Sequence, residues 1–438
     1  MRKFPLISKE VTMVFRNKTA LIYFFLLFAI ISYSFYSAVD LYSKASVAAI
    51  GNPLYAAGFE PAPGIFVPTF GGLFIIFSLI APFLLIRSFG DEKRFNTLPM
   101  LLQLPYSVRS LFLTKLFSAT LLILVSILLF APVIFFWHFL GGHIPRGELI
   151  LLMSGYFLYG LFIVSVSFFS SSLFGSASGS SVFSLAIIMF SWFVDFGKEM
   201  NIIPFLNKLS DFTTTKQLKI FEEGILSLQA IVYYLLLSIF FLLLSYYFFD
   251  PNIKNKRRSV LMTFIAFILL FGSVANIGYK SDVSESGKNS FSSAEVEFLK
   301  KLPLVNIEIF LEPTDGRFKD YENDFLKKLK MVKSDISVSF SKGKKLKEKY
   351  GLFKYKLNNK TDETYSNSAY EIFMVLEDLS GLKIEKRENG EKFRGFPLVV
   401  EKKWSGFLFI LYLILFPLLI IFLYNRKSIF INGRKNEK

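Results

Sequence analysis

Few side chains in this sequence are of types that carry out chemistry. It contains no cysteine and two histidines, His138 and His143, so a thiolate nucleophile and a cysteine metal site are excluded. The histidines stand five apart beside Gly141 and Gly142 at the edge of an apolar run. Two imidazoles could share a metal, but the setting points instead to a membrane-interface position. Carboxylates are the other candidates, and Asp315, Asp320, Glu322, Asp324, Asp335, Glu377 and Asp378 fall in one lysine-rich stretch. Paired carboxylates perform acid–base work; on a surface dense with lysine they read as solvated ion pairs of small worth. No serine of that stretch sits in a nucleophile elbow, and Asp315-Gly316 is a turn signal. GSASGSS, Gly175 to Ser181, is rich in glycine and serine but lacks the following lysine that meets phosphates. No catalytic group, metal site or bound cofactor is expected in this chain.

Composition says what must position the remaining polar residues. The 438 residues are 53% hydrophobic, with 54 Phe and 20 Tyr, and mean hydropathy is positive; such a chain is a polytopic α-helical membrane protein, with the lipid bilayer as its solvent. The formal net charge of +16 follows from lysines and arginines that flank apolar runs on one side, so no nucleic-acid partner is implied. Residues 1–19 form an amphipathic basic helix in which Phe4, Ile7, Val11, Val14 and Phe15 alternate with basic residues. Crossings are expected over 20–39, 70–89, 111–139, 149–174, 182–194 and 229–249, a six-helix core within residues 20–250. The first run is of spanning length rather than a signal peptide. Residues 40–69, with their prolines and glycines, are expected to form an irregular outer loop, 195–228 an outer segment with surface helices, and GSASGSS a tight turn. A basic loop at 251–258, a seventh crossing at 259–279, an eighth at 404–424 and a basic tail at 425–438 complete an eight-helix topology with both termini on the cytoplasmic side.

Between the last two crossings, residues 280–403 are polar and lysine-rich, long enough for one domain. Residues 305–311 alternate like a strand, 318–332 repeat apolar residues like an amphipathic helix, 336–340 alternate again, and 369–382 are helical in period, ending at Leu379-Ser380-Gly381. This predicts a small α/β domain built on a βαβ unit. It lies outside the cytoplasm in the eight-helix topology.

The most informative polar stretch is Asp91 to Lys115, DEKRFNTLPMLLQLPYSVRSLFLTK. Asp91, Glu92, Lys93 and Arg94 keep its start out of hydrocarbon, where each charge costs at least about 2.5 kcal/mol. Leu98, Leu101 and Leu102 follow at helical spacing, with Leu104 nearby, which makes a short helix with one apolar stripe. Pro105 stops it and Ser107 is placed to cap the next helix. The segment is expected to lie along the membrane surface.

DEKRFNTLPMLLQLPYS resembles the cytoplasmic segment after the second membrane helix of ABC-2 type transporter permeases. Asp91, Glu92, Lys93, Arg94, Thr97, Leu98, Leu101, Leu102, Leu104, Pro105 and Ser107 match in register, as does Lys115 at the start of the third helix. Asn96 stands where the family has glycine, a mild departure because Asn tolerates a left-handed backbone; Pro99 stands where it has an acid, and a first helical turn accepts it. The resemblance implies a coupling segment at residues 90–110 against which an ATPase pushes, its leucines seated in an ATPase groove and Glu92, Lys93 and Arg94 setting register. It also implies a permease dimer in a bacterial cytoplasmic membrane, with ATP and magnesium bound by separate ABC ATPase subunits. The 280–403 insert is more diffusely similar to the extracytoplasmic domain of gliding-motility-type auxiliary subunits, through FSSAEVEFLKKLPLVNIEIFLEPTDGRFKDYENDFLKKLK, DISVSF and SNSAYEIFMVLEDLSG. That likeness implies binding of a substrate or an envelope protein. The competing expectation is a multi-pass anchor that transports nothing and displays this domain to a partner. An ion-coupled carrier fits less well, because the crossings are nearly free of ionisable residues.

Overall fold

A computed structural model describes residues 4–51, 60–87, 90, 92, 97–103, 105–199, 209–274, 277–285, 287–313, 315–333, 335–341, 343–358, 360–384, 404–418 and 421. The chain divides into two compact units, Met1–Tyr279 with Gly395–Lys438, and Lys280–Arg394. Among the described residues seven helices are long and apolar enough to cross a membrane, the pattern of a polytopic helical protein. The last apolar helix, Ser405–Leu418, is shorter over its described length; the expected tail at 425–438 lies outside the described residues.

Helix α1, Phe4–Phe15, precedes α2, Lys18–Gly51. At about 1.5 Å per residue α2 outruns the roughly 30 Å hydrocarbon layer, and it corrects the expectation of an irregular loop from residue 40. Nothing between Asp40 and Ala49 breaks a helix, alanines favour one, and Lys44 pairs with Asp40 one turn away at 2.7 Å. Helix α3, Ala62–Leu85, likewise starts before residue 70. Pro61 and Pro63 fall at its first turn, where a missing N–H leaves nothing unpaired. Its π-helical stretches, Ala62–Phe66 and Ile76–Ile80, precede or carry the chain into Pro68 and Pro82, which remove main-chain donors from the helix. Of the expected outer loop, residues 52–59 lie outside the described ones.

The short α4, Leu98–Leu102, leads through Pro105 to α5, which runs as Val108–Leu128 and then Ala131–Phe139. Pro132 explains the interruption, since it cannot donate to residue 128. Helix α6, Arg146–Leu173, is the most enclosed crossing. It meets α5 where Gly160 replaces a side chain: a Cβ there would stand 2.3 Å from Ile123. Helix α7, Ala177–Glu199, corrects the GSASGSS expectation. Only its first residues turn; Ser176 Oγ accepts from Gly179 N–H, and the Ser180 and Ser181 hydroxyls donate back to carbonyls one turn earlier, so small polar residues continue the helix.

Helix α8, Thr214–Glu222, corrects the expectation of exposed surface helices in 195–228, of which 200–208 lie outside the described residues. Thr214, Gln217, Leu218 and Phe221 are buried, and Phe221 fills the space that Gly155 leaves on α6. Helices α9, Leu228–Phe249, and α10, Lys256–Val274, follow.

In the second unit α11, Ser293–Lys301, begins with a reciprocal Ser292–Glu295 capping box. Strand β1, Val305–Ile309, leads into a helix, α12, through Gly316–Tyr321, Glu322–Leu326 and Lys327–Val332. Strand β2, Ile336–Phe340, returns parallel to β1, the expected βαβ unit. The hairpin β3, Phe353–Leu357, and β4, Lys360–Thr364, extends the sheet, whose order is β2-β1-β3-β4. Helix α13, Lys344–Glu348, precedes the hairpin, and α14, Ala369–Ser380, ends at left-handed Gly381. Alternation puts Val305, Ile307, Ile309, Phe353, Tyr355 and Leu357 on one face, where Phe298, Phe325, Leu329, Phe373 and Leu376 cover them. Of the expected domain, residues 385–403 lie outside the described ones.

Candidate functional site

The segment between α3 and α5 is anchored by charge. Lys115, two turns into α5, is buried and donates to Glu10 Oε2 at 3.0 Å and Glu92 Oε1 at 2.8 Å. Glu10 and Glu92 are buried as well, and Lys9, half exposed, lies 3.4 Å from Glu10 and 3.6 Å from Glu92. Two cations thus balance two anions. Moving each ion from water costs several kcal/mol even after relaxation, so the buried charges persist only as a paired set.

The members come from three places in the chain, α1, residue 92 and α5, each for a local reason. In α1 the residues at i, i+4 and i+8, Leu6, Glu10 and Val14, are all buried; the stripe that seats the helix therefore carries a carboxylate. Ser107 caps α5 by accepting from Ser110 N–H, which starts that helix early enough to bring Lys115 opposite Glu10. Glu92 contributes twice. Its side chain meets Lys115, while its carbonyl accepts from Thr97 N–H at 3.0 Å, and the Thr97 carbonyl accepts from Leu101 N–H at 3.1 Å. A continuous polar connection therefore runs from the buried lysine to α4.

Helix α4 is less enclosed than this anchor and holds no fully buried residue. Leu98, Leu101 and Leu102 are half buried, Met100 is 69% exposed, and Thr97 and Pro105 are exposed. Apolar side chains offered on a polar connector are suited to a partner groove. Of the coupling residues expected from sequence, Thr97, Leu98, Leu101, Leu102 and Pro105 share this partly exposed segment, while Glu92 is turned inward and is spoken for by Lys115. Asp91, Lys93, Arg94 and Leu104 lie outside the described residues. Lys9 and Glu10 were not singled out by sequence reasoning; a glutamate on the buried i, i+4 stripe of an amphipathic helix is the signal that points to them.

A second polar junction pins α8. Tyr156 of α6 donates to Glu222 Oε1 at 2.8 Å, Tyr234 of α9 donates to the Thr214 carbonyl at 2.6 Å, and Ser191 Oγ of α7 accepts from Thr214 N–H at 2.7 Å. Burial raises the Glu222 carboxyl above its ordinary range, and the Tyr156 hydroxyl partly offsets that. All these contacts are explained by holding α8 against three crossings.

Of the carboxylates singled out in the α/β unit, Asp315, Glu377 and Asp335 have separate local settings. Asp315 caps α12 and accepts from Arg317 and, at 2.7 Å, from the Tyr350 hydroxyl. The Arg317 side chain, then Tyr350, pull its pKa down to about 2, which makes it a poor base. Glu377 Oε1 accepts from Ile384 N–H, a structural bond, and Asp335 is exposed beside β2. At the other candidate, the His143 carbonyl accepts from Trp137 Nε1. Among the described residues no group of three or more His, Asp or Glu is placed to hold a metal ion. Compared with known proteins, the chain matches no family model, no curated protein and no solved structure.

Proposed function

We propose that this chain is the membrane-spanning permease subunit of an ATP-binding-cassette transporter in a bacterial cytoplasmic membrane, driven by separate ATPase subunits. The reading rests on the register of residues 91–107 with ABC-2 permeases. One structural observation supports it above the others: the apolar α4 is partly exposed and is tied, through Thr97 N–H, to Glu92, which is ion-paired with Lys115 inside the fold. A surface tied to a buried ion pair transmits force; the same surface on a slack loop would absorb it.

The mechanism follows from that geometry. ATP-driven closure of the ATPase pair displaces α4, whose Leu98, Leu101 and Leu102 sit in the ATPase groove. The displacement passes through Thr97 and Glu92 to Lys115 on α5 and, through Glu10, to α1. Packed helices respond as rigid bodies rather than by gradual deformation. Two permease copies enclose the path, and the Lys280–Arg394 unit faces the extracytoplasmic side, where it binds the substrate or an envelope protein.

The test is co-purification of the full chain with candidate ABC ATPase chains, for the intact protein and a Leu98→Asp, Leu101→Asp, Leu102→Asp variant. Binding to the intact chain alone is expected. An ATPase that binds both forms equally overturns the role of α4, and no ATPase with either form overturns the transporter reading.

A further inference from the structure

The α/β sheet has two edges of opposite character. Strand β4, KTDET, carries Lys360, Asp362 and Glu363, and Glu363 is held by Lys349 and Lys354 at 3.1 and 2.9 Å. Charges on an edge strand are a common defence against pairing with another chain. Strand β2, ISVSF, has no charge. Its side chains alternate, with Ile336, Val338 and Phe340 half buried against the core and Ser337 and Ser339 exposed.

The hydrogen-bond register shows what the β2 edge offers. Val305 N–H donates to the Asp335 carbonyl and Ser341 N–H donates to the Ile309 carbonyl, so residues 335, 337, 339 and 341 turn their main chain toward β1. Main-chain groups alternate along a strand. Those of Ile336, Val338 and Phe340 therefore face away from the sheet, and among the described residues β2 ends the strand order. Among those residues, three donors and three acceptors are presented on an uncharged edge.

The sequence of that edge reads the same in both directions: apolar, Ser, Val, Ser, apolar. A second copy running antiparallel about a two-fold axis at Val338 pairs Val338 with Val338, Ile336 with Phe340 and Ser337 with Ser339. The outward groups are then the ones that exchange bonds, six in all by the antiparallel pattern, and no charge meets a like charge. An isologous contact requires this self-complementarity, which an edge made for an unrelated peptide does not.

We propose that the α/β units of two copies of this chain join through β2, edge to edge and antiparallel, into one continuous eight-stranded sheet. The contact does not depend on the transporter reading.

The absence of native cysteine allows a clean test in the full-length chain in membranes. Two differently tagged copies are co-expressed, one with Ser337→Cys and the other with Ser339→Cys. Directly opposed residues of this non-hydrogen-bonded type have Cα atoms about 4.5 Å apart, within disulfide reach. Mild oxidation is expected to give a product carrying both tags, at least tenfold above a pair bearing Thr361→Cys on β4. Val338→Pro added to both copies removes only an outward N–H, a change an edge strand accepts, and is expected to abolish the product while chain levels hold. Absence of the two-tag product overturns the proposal, as does a product that survives Val338→Pro. Copies that co-capture through their tags without cross-linking at 337 and 339 overturn the edge contact and leave a permease dimer standing.

Discussion

Two charged clusters in this molecule use the same groups to opposite ends. In the helical unit, Lys115, Glu10 and Glu92 are buried and joined at 2.8 and 3.0 Å. In the α/β unit, Lys349, Lys354 and Glu363 meet at nearly the same distances, but on the surface. Distance alone does not tell them apart. Water does: an exposed pair trades one hydrated state for another and gains little, whereas a buried ion left without its partner keeps its whole desolvation cost. The buried cluster is therefore a rigid joint between three elements, and the surface cluster a guard on a sheet edge.

Four variants test that contrast. Lys115→Met leaves two carboxylates buried and is expected to lower unfolding stability by about 3–5 kcal/mol, read from denaturant or thermal unfolding in detergent. A loss no larger than that of a surface pair would break the comparison. Replacing Glu10, Glu92 and Lys115 together by leucine removes the burial cost along with the pairs, and stability is expected to return to within about 1 kcal/mol of the intact chain or above it. The same triple variant should still lose ATPase stimulation if the polar joint transmits force, which separates stability from coupling. Asp315 sharpens the surface side. Its carboxyl is pulled from 3.8 to about 2 in the folded chain, so its contribution is present above pH 4 and lost as pH falls from about 4 toward 2. Asp315→Asn should flatten stability across that window, followed by circular dichroism. Smallest is Glu363→Gln, for which unfolding is expected to shift by no more than about 1 kcal/mol; a larger loss would show that the edge pairs are structural.

The sheet edges give a similar lesson about recognition. Charge marks β4 as an edge to be kept free, and its absence from β2 is visible only beside that contrast. The alternation in residues 336–340 revealed a strand, yet which main-chain groups face outward depended on the register with β1.

Local periodicity made much of the fold legible. Apolar runs pointed to the long apolar helices, and period-two and period-3.6 patterns located β1, β2, α12 and α14, because these signals reside in neighbouring residues. Pro105 and Ser107 marked the end of α4 and the start of α5 for the same reason. Where the reading failed, polar or proline-rich stretches were taken for loops. Residues 40–51 continue α2, and 62–69 already belong to α3, since prolines in a first turn do not oppose a helix. Residues 214–222 pack inward because Gly155 leaves room for Phe221, a fit between segments 66 positions apart in the sequence.

By itself, then, the sequence determined a chain of long apolar helices fit to cross a membrane, with a polar α/β insert and a short apolar helix set on a charged connector. Tertiary structure alone decided which charges meet. Lys115 lies 105 residues from Glu10 and 23 from Glu92, and helical periodicity says nothing over such separations. Each ion could have reached water singly. Packing of α1 against α5 removed that option, and pairing was the remaining way to keep all three charged.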